Sequence, residues 1–281
     1  MRACIDIGGT KVAVSLHPGG EGETLKARRS EPTAKTGAND ALARQIIRMV
    51  DEACAELGVA TNDVTCAGVA RGLPNDWRTA LLEAPLRQRF AQLRIENDGI
   101  AALEAERRWG ALRGFNHCAY VTWSTGVGCG LCVDGRPLRG KNGNAGHAGH
   151  MFVSDNDTAL CGCGNVGDLE ALVAGNAIER RFGLSAAALF AQAGAGEAHA
   201  LECVDALCRD MGRALYNLTV TLDLQRISVG GSVFLHNQAL LLPRLQAQLR
   251  GRLAALTDGC EIVAAGLGEQ VGDYAALALV D

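Results

Sequence analysis

Apolar positions fall first into short runs and later into longer helical stripes. Ala3–Ile7 reads as a short strand carrying Asp6, and Gly8-Gly9-Thr10-Lys11 turns it into a second strand, Val12–Leu16. The same figure returns at Ala119–Trp123, Ser124-Thr125-Gly126-Val127-Gly128 and Gly130–Val133, again strand, glycine-rich turn and strand. Between the two copies, Ala41–Leu57 sets Ile46, Ile47, Val50, Cys54 and Leu57 on one helical face, and Gly58 closes the helix. Val64–Ala70 follows as a buried strand, Leu86–Leu93 as a helix, Arg94–Asp98 as a strand end and Ala101–Trp109 as a helix. Beyond the second copy, Leu169–Val173 reads as a short helix, and Ala186–Ala200 as an Ala/Gly-rich helix with a flexible connection. Val204–Leu224 is a long helix with Leu207, Met211, Leu215, Leu218 and Leu222 on one stripe, a core face first and a dimer face second. Ala239–Leu256 is a further helix, Ile262–Ala264 a strand and Tyr274–Val280 a terminal helix. Strands alternating with helices predict an α/β protein. The repeated strand–turn–strand figure predicts a duplicated unit, with nucleotide bound in the cleft between the copies.

Composition narrows the partners. At 281 residues and 48% hydrophobic content, the chain can bury one large core or two modest ones. A formal charge of −4 without a long basic run excludes nucleic acid or a membrane surface as the main partner. No apolar run approaches the roughly 18 residues of a membrane span, and Met1-Arg2-Ala3-Cys4 runs into the first strand without a signal-peptide pattern. The 11 cysteines are therefore read as reduced thiols in a cytoplasmic protein. Cys4, Cys54, Cys66, Cys118, Cys129, Cys132, Cys203, Cys208 and Cys260 fall in apolar patterns, as small buried hydrophobes do.

Candidate chemistry concentrates in the turns. Gly8-Gly9-Thr10-Lys11 presents backbone N–H groups and a hydroxyl to an anion, with Asp6 placed to meet a hydrated divalent cation. An ordinary glycine hairpin is the alternative. Asn97-Asp98 sits at a strand's carboxyl tip, where open α/β sheets bind ligands. Asp98 is there either a helix cap or a carboxylate that accepts a hydroxyl proton during phosphoryl transfer. Val121–Glu170 holds an anion-cradling turn, the paired histidines His147 and His150, and a Cys161-Gly162-Cys163-Gly164 loop followed by Asp168 and Glu170. Anion cradle, paired imidazoles and mixed soft and hard ligands together point to an enzyme that handles phosphate.

Taken in order, Asp6–Lys11, Glu96-Asn97-Asp98, Ser124–Gly128, Gly146–Met151, Cys161–Gly164, Gly175–Ile178, Met211–Leu218 and Ile227–Ser232 resemble the motifs of the ROK family. That family comprises bacterial sugar kinases and sugar-responsive repressors on the duplicated actin/hexokinase-like (ribonuclease H-like) fold. The resemblance implies an ATP- and Mg2+-dependent kinase in which Asp98 takes the proton of a sugar 6-hydroxyl. It implies that Asp6, Gly8, Gly9, Thr10 and Lys11 form one phosphate loop and Thr125 and Gly126 the other, with Gly230 and Gly231 beside the nucleoside. Asn97, His147, His150 and Glu170 would bind sugar, and His150, Cys161, Cys163 and Asp168 would hold a structural Zn2+. It further implies a homodimer and two lobes, 1–110 with a returning carboxyl-terminal helix at 268–281, and 111–267 with the zinc loop at 150–168.

Three departures qualify the match. Asp168 stands where the family has a third cysteine; Asp ligates zinc, and it equally caps a helix. His147 stands where glucokinase-like members have Glu, as in bacterial N-acetylmannosamine kinases, and an imidazole both donates and accepts where a carboxylate only accepts. The stretch from Arg71 to Asp98 is short, and Arg71-Gly72-Leu73-Pro74 replaces a Pro-Gly motif in a loop that closes over sugar. N-acetylmannosamine is thus the expected substrate, with glucose and N-acetylglucosamine next. The rival of another class is a non-catalytic sugar sensor, disfavoured because the first phosphate strand begins at residue 3 and leaves no room for the repressors' helix-turn-helix.

Overall fold

The computed structural model describes residues 1–8, 10–19, 24–34, 38–72, 82–155 and 158–280. The chain divides into two compact units: Met1–Ala105 with Gln270–Asp281, and Glu106–Glu269. The first begins with strands β1 (Arg2–Ile7), β2 (Lys11–His17) and β3 (Lys26–Pro32) and helix α1 (Ala41–Leu57). β4 (Cys66–Arg71), α2 (Glu83–Arg89), β5 (Gln92–Asn97) and α3 (Asp98–Arg108) follow, and the unit boundary falls within α3. The second unit contains β6 (Cys118–Trp123), β7 (Val127–Val133), β8 (Arg136–Pro137), α4 (Leu169–Val173), α5 (Gly175–Phe182) and α6 (Ala186–Gly194). It continues through α7 (Ala198–Leu222), β9 (Arg226–Gly230), α8 (Ser232–His236), α9 (Gln238–Leu249), α10 (Ala254–Thr257) and β10 (Glu261–Ala264). Helix α11 (Val271–Ala278) ends the chain within the first unit.

The two sheets have one topology. The first runs β3-β2-β1-β4-β5 and the second, read from its other edge, β8-β7-β6-β9-β10. In each, an antiparallel hairpin supplies the edge and two parallel strands extend the sheet on the far side of its first strand. The duplication expected from the repeated strand–turn–strand figure is thus present in the strand order. Each unit has its own core. Ile5, Val14, Ile46, Met49, Leu86 and Phe90 anchor the first, and Val121, Trp123, Leu172, Leu207, Leu215 and Phe234 the second.

Strong patterns gave accurate boundaries. α1 spans Ala41–Leu57 as its apolar stripe predicts, and Gly58 closes it in the left-handed conformation. The α7 stripe is a core face, since Leu207, Met211, Leu215 and Leu218 are buried. Elsewhere the expected bounds shift. The helix expected at Leu86–Leu93 lies at Glu83–Arg89, because Gln92 onward pairs with β4. The helix expected at Ala101 begins at Asp98, because Asn97 Oδ1 accepts the Gly99 and Ile100 N–H groups at 2.9 and 3.3 Å. Asn97 therefore does the capping that was open to Asp98, whose own Oδ1 accepts the Gly99 N–H at 2.9 Å. The Ala186–Ala200 stretch is a helix to Gly194 and then a connection at 195–197, as expected, but the long helix starts at Ala198 instead of Val204, and the Ala239–Leu256 stretch is interrupted after Leu249. β3 has alternate half-buried positions but little apolar character, so hydropathy does not mark it. Of the shortened loop at Arg71–Asp76, residues 73–76 lie outside the described residues.

One buried charge belongs to the second unit's framework. Glu106 is fully buried, and its carboxylate accepts from Ala111 N, Gly266 N and Leu267 N at 2.9, 3.0 and 2.8 Å and from Ser228 Oγ at 3.1 Å. Three of these donors meet Oε2 and one, Leu267 N–H, meets Oε1, and such bonds offset the cost of burying a carboxylate.

Candidate functional site

The first unit gathers carboxylates at the carboxyl ends of β1 and β5. Asp6 lies opposite Ala13 of β2 and Ala70 of β4, one residue before the strand ends. The turn beyond it is closed by Gly8 N–H donating to Lys11 O at 2.9 Å, and Thr33 Oγ1 donates to Gly8 O at 2.9 Å. Thr10 and Lys11 are exposed at this turn, while Gly9 lies outside the described residues. Burial, then the nearby Asp98 and Asp273, push the Asp6 carboxyl up to about 6, against the pull of Lys11 and Arg28. Asp98 is exposed and its Oδ2 lies over Gly72, where an added methyl would sit 3.2 Å away. Asp273, in the first turn of α11, pairs with Arg28 at 2.6 Å. Neither Asp273 nor Arg28 carries a motif, and only the fold brings them to Asp6.

In the second unit, two glycine turns meet. Ser124 N–H donates to Gly126 O at 2.9 Å, closing the turn that holds Thr125 and Gly126. The Gly230-Gly231 turn after β9 lies against it: Ser124 Oγ and Ser232 Oγ are 3.0 Å apart, and a Cβ on Gly231 (φ +88°) would fall 2.4 Å from Trp123 O. Gly175 N–H, at the start of α5, donates to Ser124 O at 2.8 Å. The candidate phosphate turn and the candidate nucleoside turn are therefore one locus.

The histidine loop is pressed onto β7. Side chains at Gly146 and Gly149 would place a Cβ 2.2 Å from Cys129 O and 2.4 Å from Val127 O, so this spacing of glycines sets where His147 and His150 stand. Their rings stack with centroids 6.3 Å apart. His147 Nδ1 lies 2.9 Å from Asn144 O. A carbonyl only accepts, so Nδ1 carries the proton and the neutral ring presents Nε2 as an acceptor. In that tautomer the ring's donor is on the backbone, and Nε2 is the atom left for a ligand.

His150, Cys161, Cys163 and Asp168 form a compact ligand set. Their donor atoms all lie within 4.8 Å of one another. His150 Nδ1 is 2.9 Å from Asp168 Oδ2, 3.6 Å from Cys163 Sγ and 3.9 Å from Cys161 Sγ, and Cys163 Sγ is 3.6 Å from Asp168 Oδ2. Tetrahedral zinc with N, O and S ligands has donor–donor edges of about 3.3–3.8 Å; the two Cys163 separations of 3.6 Å fall in that range, while the 2.9 Å His150–Asp168 pair would open slightly around the ion. Asp168 is a helix cap, its Oδ1 accepting Ala171 N–H at 2.9 Å, and this leaves Oδ2 facing the other candidate ligands. Burial raises its carboxyl, but the Ala171 N–H, His150, Cys161 and Asn165 outweigh that and hold it below the usual range. Burial pushes the Cys161 thiol up to about 12, so an arriving metal would displace its proton. Glu170 stands beside this set, with Oε1 3.6 Å from Cys161 Sγ and Oε2 accepting Val127 N–H at 2.9 Å.

The ROK family profile matches residues 2–281. The chain belongs to the ROK family. The glucokinase of Aeropyrum pernix is 29% identical over 98% of this chain and 95% of its own length. The N-acetylmannosamine kinase of Salmonella newport is 33% identical over 82% of each chain. The crystal structure of a ROK family glucokinase from Streptomyces griseus, in complex with glucose and AMPPNP, superposes with a TM-score of 0.74 at 25% identity, over 99% of this chain and 98% of that one. The fold of this ROK protein is accordingly actin/hexokinase-like, and its class of activity is that of a sugar kinase.

Proposed function

We propose that this ROK sugar kinase transfers the γ-phosphoryl group of ATP to the 6-hydroxyl of an N-acylhexosamine, N-acetylmannosamine first. The observation that carries the chemistry is Asp98, an exposed carboxylate at the tip of β5 near the half-buried Asp6. As the hydroxyl oxygen bonds to the γ-phosphorus and the bond to ADP breaks, Asp98 takes the hydroxyl proton. Asp6 meets hydrated Mg2+, and the Gly8–Lys11 and Thr125–Gly126 turns hold phosphate. Gly230 and Gly231 flank the nucleoside, while Asn97, His147, His150 and Glu170 serve the sugar. Zn2+ on His150, Cys161, Cys163 and Asp168 would fix the loop that aims His150.

The N-acetylmannosamine choice is supported by the presence of His at position 147, in which the chain resembles bacterial N-acetylmannosamine kinases, and by the 33% identity to the Salmonella kinase. Glucose is the second reading, supported by the near-full-length match to the Aeropyrum glucokinase. A homodimer is part of the proposal, though not through the α7 stripe, which is buried.

ADP release with Mg-ATP across N-acetylmannosamine, N-acetylglucosamine, glucose and mannose tests the substrate. Selective turnover of N-acetylmannosamine is expected, and turnover of no sugar sinks the kinase reading. Asp98→Asn should lower turnover about 10²–10⁴-fold with sugar affinity nearly unchanged; undiminished turnover would remove Asp98 from the role. His147→Glu should move preference toward glucose, and an unaltered profile would place His147 outside the sugar site.

A further inference from the structure

We infer that Glu170 is a positioning residue for the phosphate turn Ser124–Gly128, and so for nucleotide rather than for sugar alone. The inference rests on the kinase reading and deepens it. Helix α4 grips the turn at both flanks. Before the turn, Trp123 Nε1–H donates to Val173 O at 2.7 Å. After it, Val127 N–H donates to Glu170 Oε2 at 2.9 Å. Within it, Gly126 is the residue Glu170 leaves room for, since a Cβ there would fall 2.7 Å from Oε2. The helix doing this is itself fixed: Asp168 caps it, and Leu169, Ala171, Leu172 and Val173 are buried. The carboxylate is thereby committed, with one oxygen on the turn and the other near Cys161 Sγ at 3.6 Å.

A carboxylate beside a phosphate turn brings a repulsive charge, so its contribution is geometric: it holds the exit of the turn through an N–H bond. That separates shape from charge. Glutamine keeps an oxygen for Val127 N–H without the charge, whereas alanine removes the contact.

The experiment measures ADP affinity in Mg2+ buffer, without sugar, for wild type, Glu170→Gln, Glu170→Ala, Gly126→Ala and the Gly126→Ala/Glu170→Ala double variant. Glu170→Ala should weaken ADP about 10-fold, and Glu170→Gln should stay within about 3-fold of wild type. Gly126→Ala should also weaken ADP about 10-fold, yet add less than about 3-fold in the Glu170→Ala background, because both act through one contact. If Glu170→Ala does not fold, the Glu170→Gln and Gly126→Ala affinities still decide between these expectations. Unchanged ADP affinity in both Glu170→Ala and Gly126→Ala overturns the inference and leaves the kinase reading standing, as does full additivity of the two alanine changes. A wild-type protein that binds no ADP overturns the kinase reading itself.

Discussion

Asp6 shows how one side chain records its surroundings. Its carboxyl is raised from 3.8 to about 6 by burial and by two neighbouring carboxylates, so folding favours its protonated form. That contribution is fully present below about pH 4 and is lost as pH rises through 6, leaving the native anion strained at neutral pH. Asp6→Asn should therefore stabilise the ligand-free protein at pH 7.5 by about 1–2 kcal/mol after screening, and by nothing measurable at pH 4. Thermal melts at both values check this; a destabilised variant at pH 7.5 would mean that Arg28 and Lys11 outweigh the burial. The same variant should lose phosphoryl transfer, which sets function against stability at this residue.

The candidate metal loop poses its question at the level of an element. Between Met151 and Leu169 the described chain has only isolated bridges, Phe152 with Asp168 and Leu160 with Val166, so backbone pairing alone holds it weakly. Asp168 joins the loop to α4 by capping with one oxygen and facing the ligand set with the other. Asp168→Asn keeps a capping oxygen and loses the charge; Asp168→Ala loses both. In EDTA, Asp168→Asn should melt within about 0.5 kcal/mol of wild type while Asp168→Ala costs about 1 kcal/mol. Metal analysis of the purified proteins should find zinc reduced in both. Full zinc retention in Asp168→Ala would exclude Asp168 as a ligand.

At the scale of the whole molecule, the same sheet order occurs twice and each copy buries its own core. The second copy also depends on Glu106, which ties β9 to the segment leaving β10 through Ser228, Gly266 and Leu267. Glu106→Ala would strand three N–H groups and should lower stability by about 3–5 kcal/mol. Glu106→Gln sets an amide N–H2 against one of those donors and should cost about 1–3 kcal/mol. Urea midpoints measure both, and a neutral Glu106→Ala would show that water replaces the carboxylate. No helix among the described residues is long and apolar enough to cross a membrane.

The sequence by itself determined the α/β class, the duplication, the family and the residues worth examining. These rest on local patterns: alternation and helical stripes, glycine turns, and a fixed order of motifs. It set α1 to the residue because stripe and cap agree. It missed β3, whose charged edge gives little hydropathic trace, and the start of α3, where a side-chain cap overrode the apolar spacing. Only the tertiary structure decided that Asp273 and Arg28 join Asp6, that Asp168 caps α4 with one oxygen and faces His150 with the other, that His147 Nδ1 meets Asn144 O, and that Glu170 bonds Val127 N–H at the Ser124–Gly128 turn. Each of these contacts depends on which atom of a side chain meets a residue elsewhere in the chain. Residue type and spacing supply the chemical groups, and only the folded backbone supplies their directions.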